Sequence, residues 1–206
     1  PIAGVLFSLE EVHKHFSPEL LLSTMASSIT ADFISRNVFG LQPVFDFHIT
    51  NMMPLSSYGH VILFGVIIGV MGVVYNNCLS IVQDSYMKIP SLLVRVLIPF
   101  LLAGILGFTY PYVLGGGHPL VETMTTNQMA LEVLIVLLIA KFSFSIISFG
   151  CGAPGGIFLP LLVIGAIIGS IYYYGVGLMT GSLNGLLSNF IILGMAGYFS
   201  AIVRAP

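Results

Sequence analysis

Ser148-Phe-Gly-Cys-Gly-Ala-Pro-Gly-Gly-Ile-Phe-Leu-Pro160 is a glycine-rich break between two long apolar runs. Gly150, Gly152, Gly155, Gly156 and Pro154 do not continue the helix that Leu131 to Phe149 would otherwise form, because glycine is permissive and proline lacks a donor and fixes φ. An apolar helix restarts at Ile157, with Pro160 in its first turn, where a missing N–H costs little. A helix N-terminus therefore lies inside apolar sequence. Its first N–H groups have no intrahelical partner and the macrodipole places partial positive charge there, so backbone alone can attract an anion. Irregular backbone at membrane depth is tolerated only where it is buried in protein or lines a watery cavity, and broken helices aimed at anions recur in transporters.

The chain around this break has 206 residues, 57% hydrophobic and 7% charged, against about 25% charged in an ordinary soluble domain. The expectation is an all-α integral membrane protein. Six Lys and Arg in a net charge of −2 form no basic patch, which argues against a nucleic-acid partner. Cys78 and Cys151 fall in apolar runs and read as buried thiols, not as a disulfide framework or a nucleophile. No metal site is expected: His13 and His15 lie on different faces of a helix end, and His48, His60 and His118 are isolated. Pro1 is not an initiator Met and no signal-like pattern follows it, so the sequence reads as a piece of a longer membrane domain.

At the N-terminal side, Pro1 to Glu11 is a short apolar segment and Ser17-Pro18-Glu19 has the form of a helix start. Leu20 to Phe39 follows, with Asp32 and Arg36 at i, i+4 bracing its far end. Residues 40–57 read as an external linker dividing the fold. Tyr58 to Met87 is a long span with Gly65, Gly69 and Gly72 at close-packing spacing, and Ser91 to Tyr112 is the next, with Pro99 a kink and Gly104 and Gly107 as packing positions. Gly115-Gly-Gly-His-Pro119 breaks the chain again, before a short interfacial helix from Leu120 to Gln128. Met129 to Phe149 enters the central break and Ile157 to Tyr174 leaves it; Gly175 to Asn189 reads as a loop and Phe190 to Val203 as the last segment. Tyr172, Tyr173 and Tyr174 suit an interfacial aromatic belt. Lys14, Lys88 and Arg204 fall on one side and the opposite loops contain no Lys or Arg, which makes the first side cytoplasmic.

Few titratable groups remain to carry chemistry. Glu10 and Glu11 are either solvated at a helix end or, with one carboxylate facing the bundle, a proton carrier. Lys141 shares a span with Glu132 but not a face; it either lines a cavity or, on the blander reading, snorkels to the interface.

These residues resemble a known family, the CLC chloride channels and chloride/proton exchangers. Gly152-Ala-Pro-Gly-Gly-Ile-Phe-Leu-Pro160 is similar to the family's GxFxP anion-binding motif with its preceding turn. Pro1-Ile-Ala-Gly-Val-Leu-Phe-Ser-Leu-Glu-Glu11 resembles the helix that ends at the internal proton-handling glutamate. Gly115-Gly-Gly117 and Gly194-Met-Ala-Gly-Tyr-Phe-Ser-Ala-Ile-Val-Arg-Ala-Pro206 match two further family segments, and all four occur in family order along the whole chain. The resemblance implies a bundle of tilted and broken transmembrane helices built from inverted repeats, with 1–39 ending the first repeat and 58–206 forming most of the second. It implies an anion site at Gly156, Ile157, Phe158 and Pro160, with the amides of Ile157 and Phe158 as chloride ligands. It further makes Glu11 the proton-transfer residue, with Glu10 as secondary candidate. Passive channels of the family commonly carry an apolar residue at the position of Glu11, so the resemblance favours chloride/proton antiport over a passive voltage-gated channel; a non-transporting scaffold is the more distant reading. It also implies that the protein is no enzyme, has no cofactor, takes chloride and protons as partners in a lipid bilayer, and forms a homodimer. The family's serine-bearing anion motif, gating glutamate and anion-contacting tyrosine have no counterpart within these 206 residues. The motif looks less like that of the fluoride-exporting branch.

Overall fold

A computed structural model describes residues 2–40, 45, 47, 52–126, 129–153, 155–180, 183 and 185–204; of 10–12, 126 and 178–180 it describes the backbone only. Among these residues every regular element is helical: α1 (Ile2–Phe7), a π-helical turn (Ser8–His13), α2 (Pro18–Phe39), α3 (Tyr58–Met87), α4 (Leu92–Thr109), α5 (His118–Thr126), α6 (Leu131–Gly150), α7 (Phe158–Thr180) and α8 (Leu187–Val203). Four of them, within Leu55–Met87, Leu92–Thr109, Leu131–Gly150 and Phe158–Gly177, are long and apolar enough to cross a membrane. The protein is a multi-pass integral membrane protein, as its composition requires.

The chain divides into two compact units, Pro1–Asp46 with Val203–Pro206, and Phe47–Ile202. In the first, α1 and its π-helical continuation bury Val5 and Leu9. Lys14 adopts a left-handed backbone (φ 51°) that ends this segment. Ser17 then caps α2: its Oγ accepts from the Leu20 N–H at 3.2 Å, and Pro18 and Glu19 fill the first turn. Asp32 and Arg36 pair at 2.8 Å, the i, i+4 brace that their spacing predicts. No side chain of α2 is buried.

The second unit is organised by α7. Leu161, Val163, Ile164, Ala166 and Ile167 have no exposed surface, and the core continues through Phe64, Tyr75, Phe190 and Tyr198 from α3 and α8. The close helix crossing lies at Gly165, Gly169 and Gly194. A Cβ on Gly165 would meet the Gly194 carbonyl oxygen, one on Gly194 the Gly165 oxygen, and one on Gly169 the Phe190 oxygen. The sequence pointed elsewhere: Gly65, Gly69 and Gly104 face open space, and of the α3 stripe only Gly72 meets a neighbour, Ala201. Spacing alone does not say which face has another backbone across it.

Other boundaries shift for physical reasons. Gly175 and Gly177 do not end α7, which runs on to Thr180; glycine breaks a helix chiefly where water competes for its backbone groups. Tyr172, at the end of its apolar run, is buried: it packs against Phe64 and Phe190 and donates to the His60 carbonyl at 3.2 Å. Pro99 is inside α4 and buried. Much of the 40–57 linker lies outside the described residues.

Candidate functional site

The break takes the form its composition dictates. Helix α6 ends at Gly150, Cys151 is buried with its thiol on the Ser148 carbonyl at 3.0 Å, and Gly152 turns the chain with φ 82°. Positive φ at that point is what glycine allows and other residues resist. Gly155, Gly156 and Ile157 have no regular structure, and α7 begins at Phe158. Its first backbone bond runs from the Leu161 N–H to the Ile157 carbonyl at 3.2 Å, so Ile157 occupies the N-cap position and Phe158, Leu159 and Pro160 form the first turn. The Phe158 ring, half exposed, meets Phe199 of α8 edge-on with centroids 4.9 Å apart, which anchors the helix start.

A cavity of about 140 Å³ opens at this N-terminus. Gly155, Gly156, Ile157 and Pro160 line it from the break, and Gly115 lines it from the other glycine-rich turn. Three of the four residues of the expected anion site, Gly156, Ile157 and Pro160, thus share one cavity wall; Phe158 does not line it.

The opposite wall comes from α6. Lys141, Ser145 and Ser148 line the cavity, four and three residues apart, and so share one helical face. Lys141 does not snorkel. It is 2% exposed and its ammonium donates to the carbonyls of Val113 at 2.7 Å and Gly115 at 2.9 Å. Ser145 Oγ is 2.8 Å from the Tyr75 hydroxyl, whereas buried Ser148 Oγ has no hydrogen-bond partner among the described residues. Sequence reasoning passed over the two serines, although polar residues at 141, 145 and 148 on one face of a largely apolar helix are a visible signal of a wet or ligand-facing stripe.

The Gly115-Gly-Gly117 turn is pressed onto the first turns of α7. A Cβ on Gly116 would come within 3.2 Å of Leu159 Cδ1, and one on Gly117 within 2.9 Å of Val163 Cγ2, at φ 76°. Val163 is fully buried and β-branched and has nowhere to turn. Gly117→Ala is therefore expected to destabilise the protein by at least about 2 kcal/mol, from left-handed strain and overpacking together. A thermal-unfolding midpoint equal to that of the native protein would refute this.

The side chains of Glu10 and Glu11 lie outside the described ones; their backbone belongs to the π-helical turn Ser8–His13. Glu132 sits exposed in the first turn of α6, and among the described residues no group of three or more His, Cys, Asp or Glu could hold a metal ion.

The sequence pattern of the voltage gated chloride channel family matches residues 1–206. The H(+)/Cl(-) exchange transporter ClcA of Vibrio parahaemolyticus is 32% identical over all of this chain and 46% of its own length. A slow cyanobacterial Cl-/H+ antiporter, solved by crystallography, superposes with a TM-score of 0.85 at 30% identity, over 100% of this chain and 49% of that one. A CLC-type fluoride/proton antiporter shares the fold at a TM-score of 0.67 and 21% identity, over 98% of this chain and 58% of that one. The chain thus spans about half the length of the relatives it matches.

Proposed function

Because the chain belongs to the voltage gated chloride channel family, we propose that the full-length protein carrying it exchanges chloride for protons across a cell membrane. The observation that supports this most is the cavity at the α7 N-terminus, walled by Gly156, Ile157 and Pro160 where the chain passes between two helices long and apolar enough to cross a membrane. Amide groups at such a terminus attract an anion without any side chain that titrates. Ile157 and Phe158 offer the chloride-binding amides. Pro160 closes the first turn without a competing N–H, and Gly156 lets the ion approach the backbone. The relatives named as exchangers support antiport over passive conduction.

Glu11 is the proton carrier of this proposal and Glu10 its secondary candidate. A carboxylate can titrate where a backbone amide cannot, so the two ions have separate ligands. The reaction is transport, with chloride as cargo and no cofactor. Residues 1–39 close a first repeat, 58–206 form most of a second, and the full-length protein is a homodimer. The turn after α3 carries Lys88, and Arg95 folds back onto it through the Ile89 carbonyl at 2.7 Å, which favours a cytoplasmic placement of that turn.

Reconstitution in liposomes tests the proposal. The native full-length protein should drive protons uphill when given a chloride gradient. With Glu11→Gln, proton movement is expected to fall to background while chloride flux persists. Coupled proton flux that survives the substitution removes Glu11 from the role, and a native reversal potential indifferent to a proton gradient makes the protein a passive channel.

A further inference from the structure

We propose that Ser145 offers its hydroxyl hydrogen to the anion in the cavity at the α7 N-terminus, and that Tyr75, which does not reach the cavity, holds it in that direction. This rests on the anion-transport reading above and adds a side-chain ligand to a site otherwise made of backbone. Neither residue lies in the four segments by which the chain resembles its family.

The hydrogen bond between Tyr75 and Ser145 runs in one direction. Tyr75 of α3 has no exposed surface and is not among the residues that line the cavity. The rings of Phe142 and Tyr198 meet it edge-on, with centroids 5.4 Å and 6.1 Å away. Among the described residues its hydroxyl has one hydrogen-bond partner, Ser145 Oγ at 2.8 Å. A tyrosine and a serine hydroxyl each carry a single hydrogen. Were Ser145 the donor, the Tyr75 hydrogen would be left without an acceptor in apolar core, which costs the full desolvation of that group. Tyr75 therefore donates and Ser145 accepts.

Ser145 then has its own hydrogen to place. Serine within a helix commonly turns it back onto the carbonyl four residues earlier, as Ser85 does to Ile81 and Ser170 to Ala166. Ser145 makes no such bond among the described residues; Tyr75 is its one partner there. It is 7% exposed and lines the cavity with Gly156 and Ile157, so the cavity is where its hydrogen is free to point. Ser148 Oγ, on the same wall, also has no partner among the described residues, and no carboxylate lines the cavity to accept from either. Hydroxyl hydrogens on one wall and helix amides on the other match a ligand that only accepts, an anion. A cavity of about 140 Å³ exceeds the roughly 30 Å³ share of one water several-fold, so a partly hydrated halide fits.

The competing account makes the Tyr75–Ser145 bond a strut that only ties α3 to α6. Affinity and stability, measured side by side in the full-length protein, separate the two. Ser145→Ala removes the ligand and leaves the Tyr75 hydroxyl unpaired. Tyr75→Phe keeps the ring, removes the hydroxyl and frees Ser145 to turn back onto the Lys141 carbonyl; the double variant lacks both hydroxyls. Calorimetric titration of the detergent-purified protein with sodium chloride reads affinity, and thermal unfolding reads stability. Ser145→Ala is expected to bind chloride about tenfold more weakly, and Tyr75→Phe about threefold more weakly or worse. The double variant should regain the midpoint that Ser145→Ala loses, because no buried hydroxyl is left unpaired, yet bind chloride no better than Ser145→Ala, because Tyr75 acts only through Ser145. Native affinity in either single variant overturns the proposal. So does a double variant whose affinity recovers together with its midpoint, the result that a strut alone predicts. Should Ser145→Ala aggregate, the double variant carries the same test, since native affinity there excludes Ser145 as a ligand. Failure of the exchange reading is distinguishable: a native protein that binds chloride but moves no protons removes antiport and leaves the comparison of variants intact.

Discussion

Gly169→Val is expected to abolish recovery of folded protein, the largest structural effect of any single substitution considered. A Cβ at this position would meet the carbonyl oxygen of Phe190, with the Phe190 carbonyl carbon at 2.8 Å and Ile191 Cα at 3.1 Å. These are backbone atoms of α8. They cannot change rotamer, so the helices must separate. Separation would also pull apart Gly165 and Gly194 one helical turn away, each of whose Cβ would meet the other's carbonyl oxygen. Overpacking that side chains can absorb costs about 1–3 kcal/mol, and a clash that only helix displacement relieves lies at or beyond the top of that range. Native stability is about 5–15 kcal/mol in total, so valine takes a large share and alanine less. The check is a graded series in the full-length protein, scored by monodispersity and thermal midpoint: native, Gly169→Ala, Gly169→Val, and Gly175→Ala as the control. Gly175 lies on the same helix with nothing within 4 Å of its would-be Cβ, so it should behave as native. A Gly169→Val protein with a native midpoint would show that the crossing is looser than these contacts require.

That crossing also marks what the sequence could and could not convey. Gly65 and Gly69 have the same four-residue spacing as Gly165 and Gly169, yet only the second pair faces a neighbouring backbone. Spacing records what a helix permits, and contact depends on which helix arrives. The spans and the central break were legible because membrane burial demands long apolar runs and because glycine and proline interrupt them for local reasons. The Ser17 cap was legible for the same reason, its hydrogen bond reaching only three residues along the chain. For the site, Gly-Gly-Ile-Phe-Leu announced a helix start by itself, whereas the far wall depends on how α6 lies against it. Of the two readings open for Lys141, length decides: from the middle of a 20-residue helix a lysine cannot snorkel out, and only the cavity reading remains. The burial of Tyr172 was not legible, because its place at the end of an apolar run hid its partners Phe64 and His60 on α3, more than a hundred positions earlier.

The largest functional effect is expected from a substitution that leaves the fold alone. Phe158→Pro removes one backbone N–H at the first residue of α7, and proline is well tolerated at that helical position. Proline also biases the preceding residue toward extended backbone, which is the conformation an N-cap residue such as Ile157 ordinarily adopts. The bond from Leu161 to the Ile157 carbonyl needs neither the lost donor nor the ring and should persist. If the Phe158 amide binds the anion, a charge-assisted hydrogen bond of about 1.5–3 kcal/mol is lost. Chloride affinity should then fall by roughly ten- to 150-fold. The ring is lost as well, together with its edge-on contact to Phe199, so Phe158→Leu is the necessary companion: it keeps the N–H and drops the aromatic contact. Chloride titration of the two purified variants decides between them. A leucine variant within about twofold of native beside a proline variant that barely binds assigns the effect to the amide. Equal losses would assign it to packing at the helix start, and a proline variant with native affinity would leave the Ile157 amide as the ligand that the helix start offers the ion.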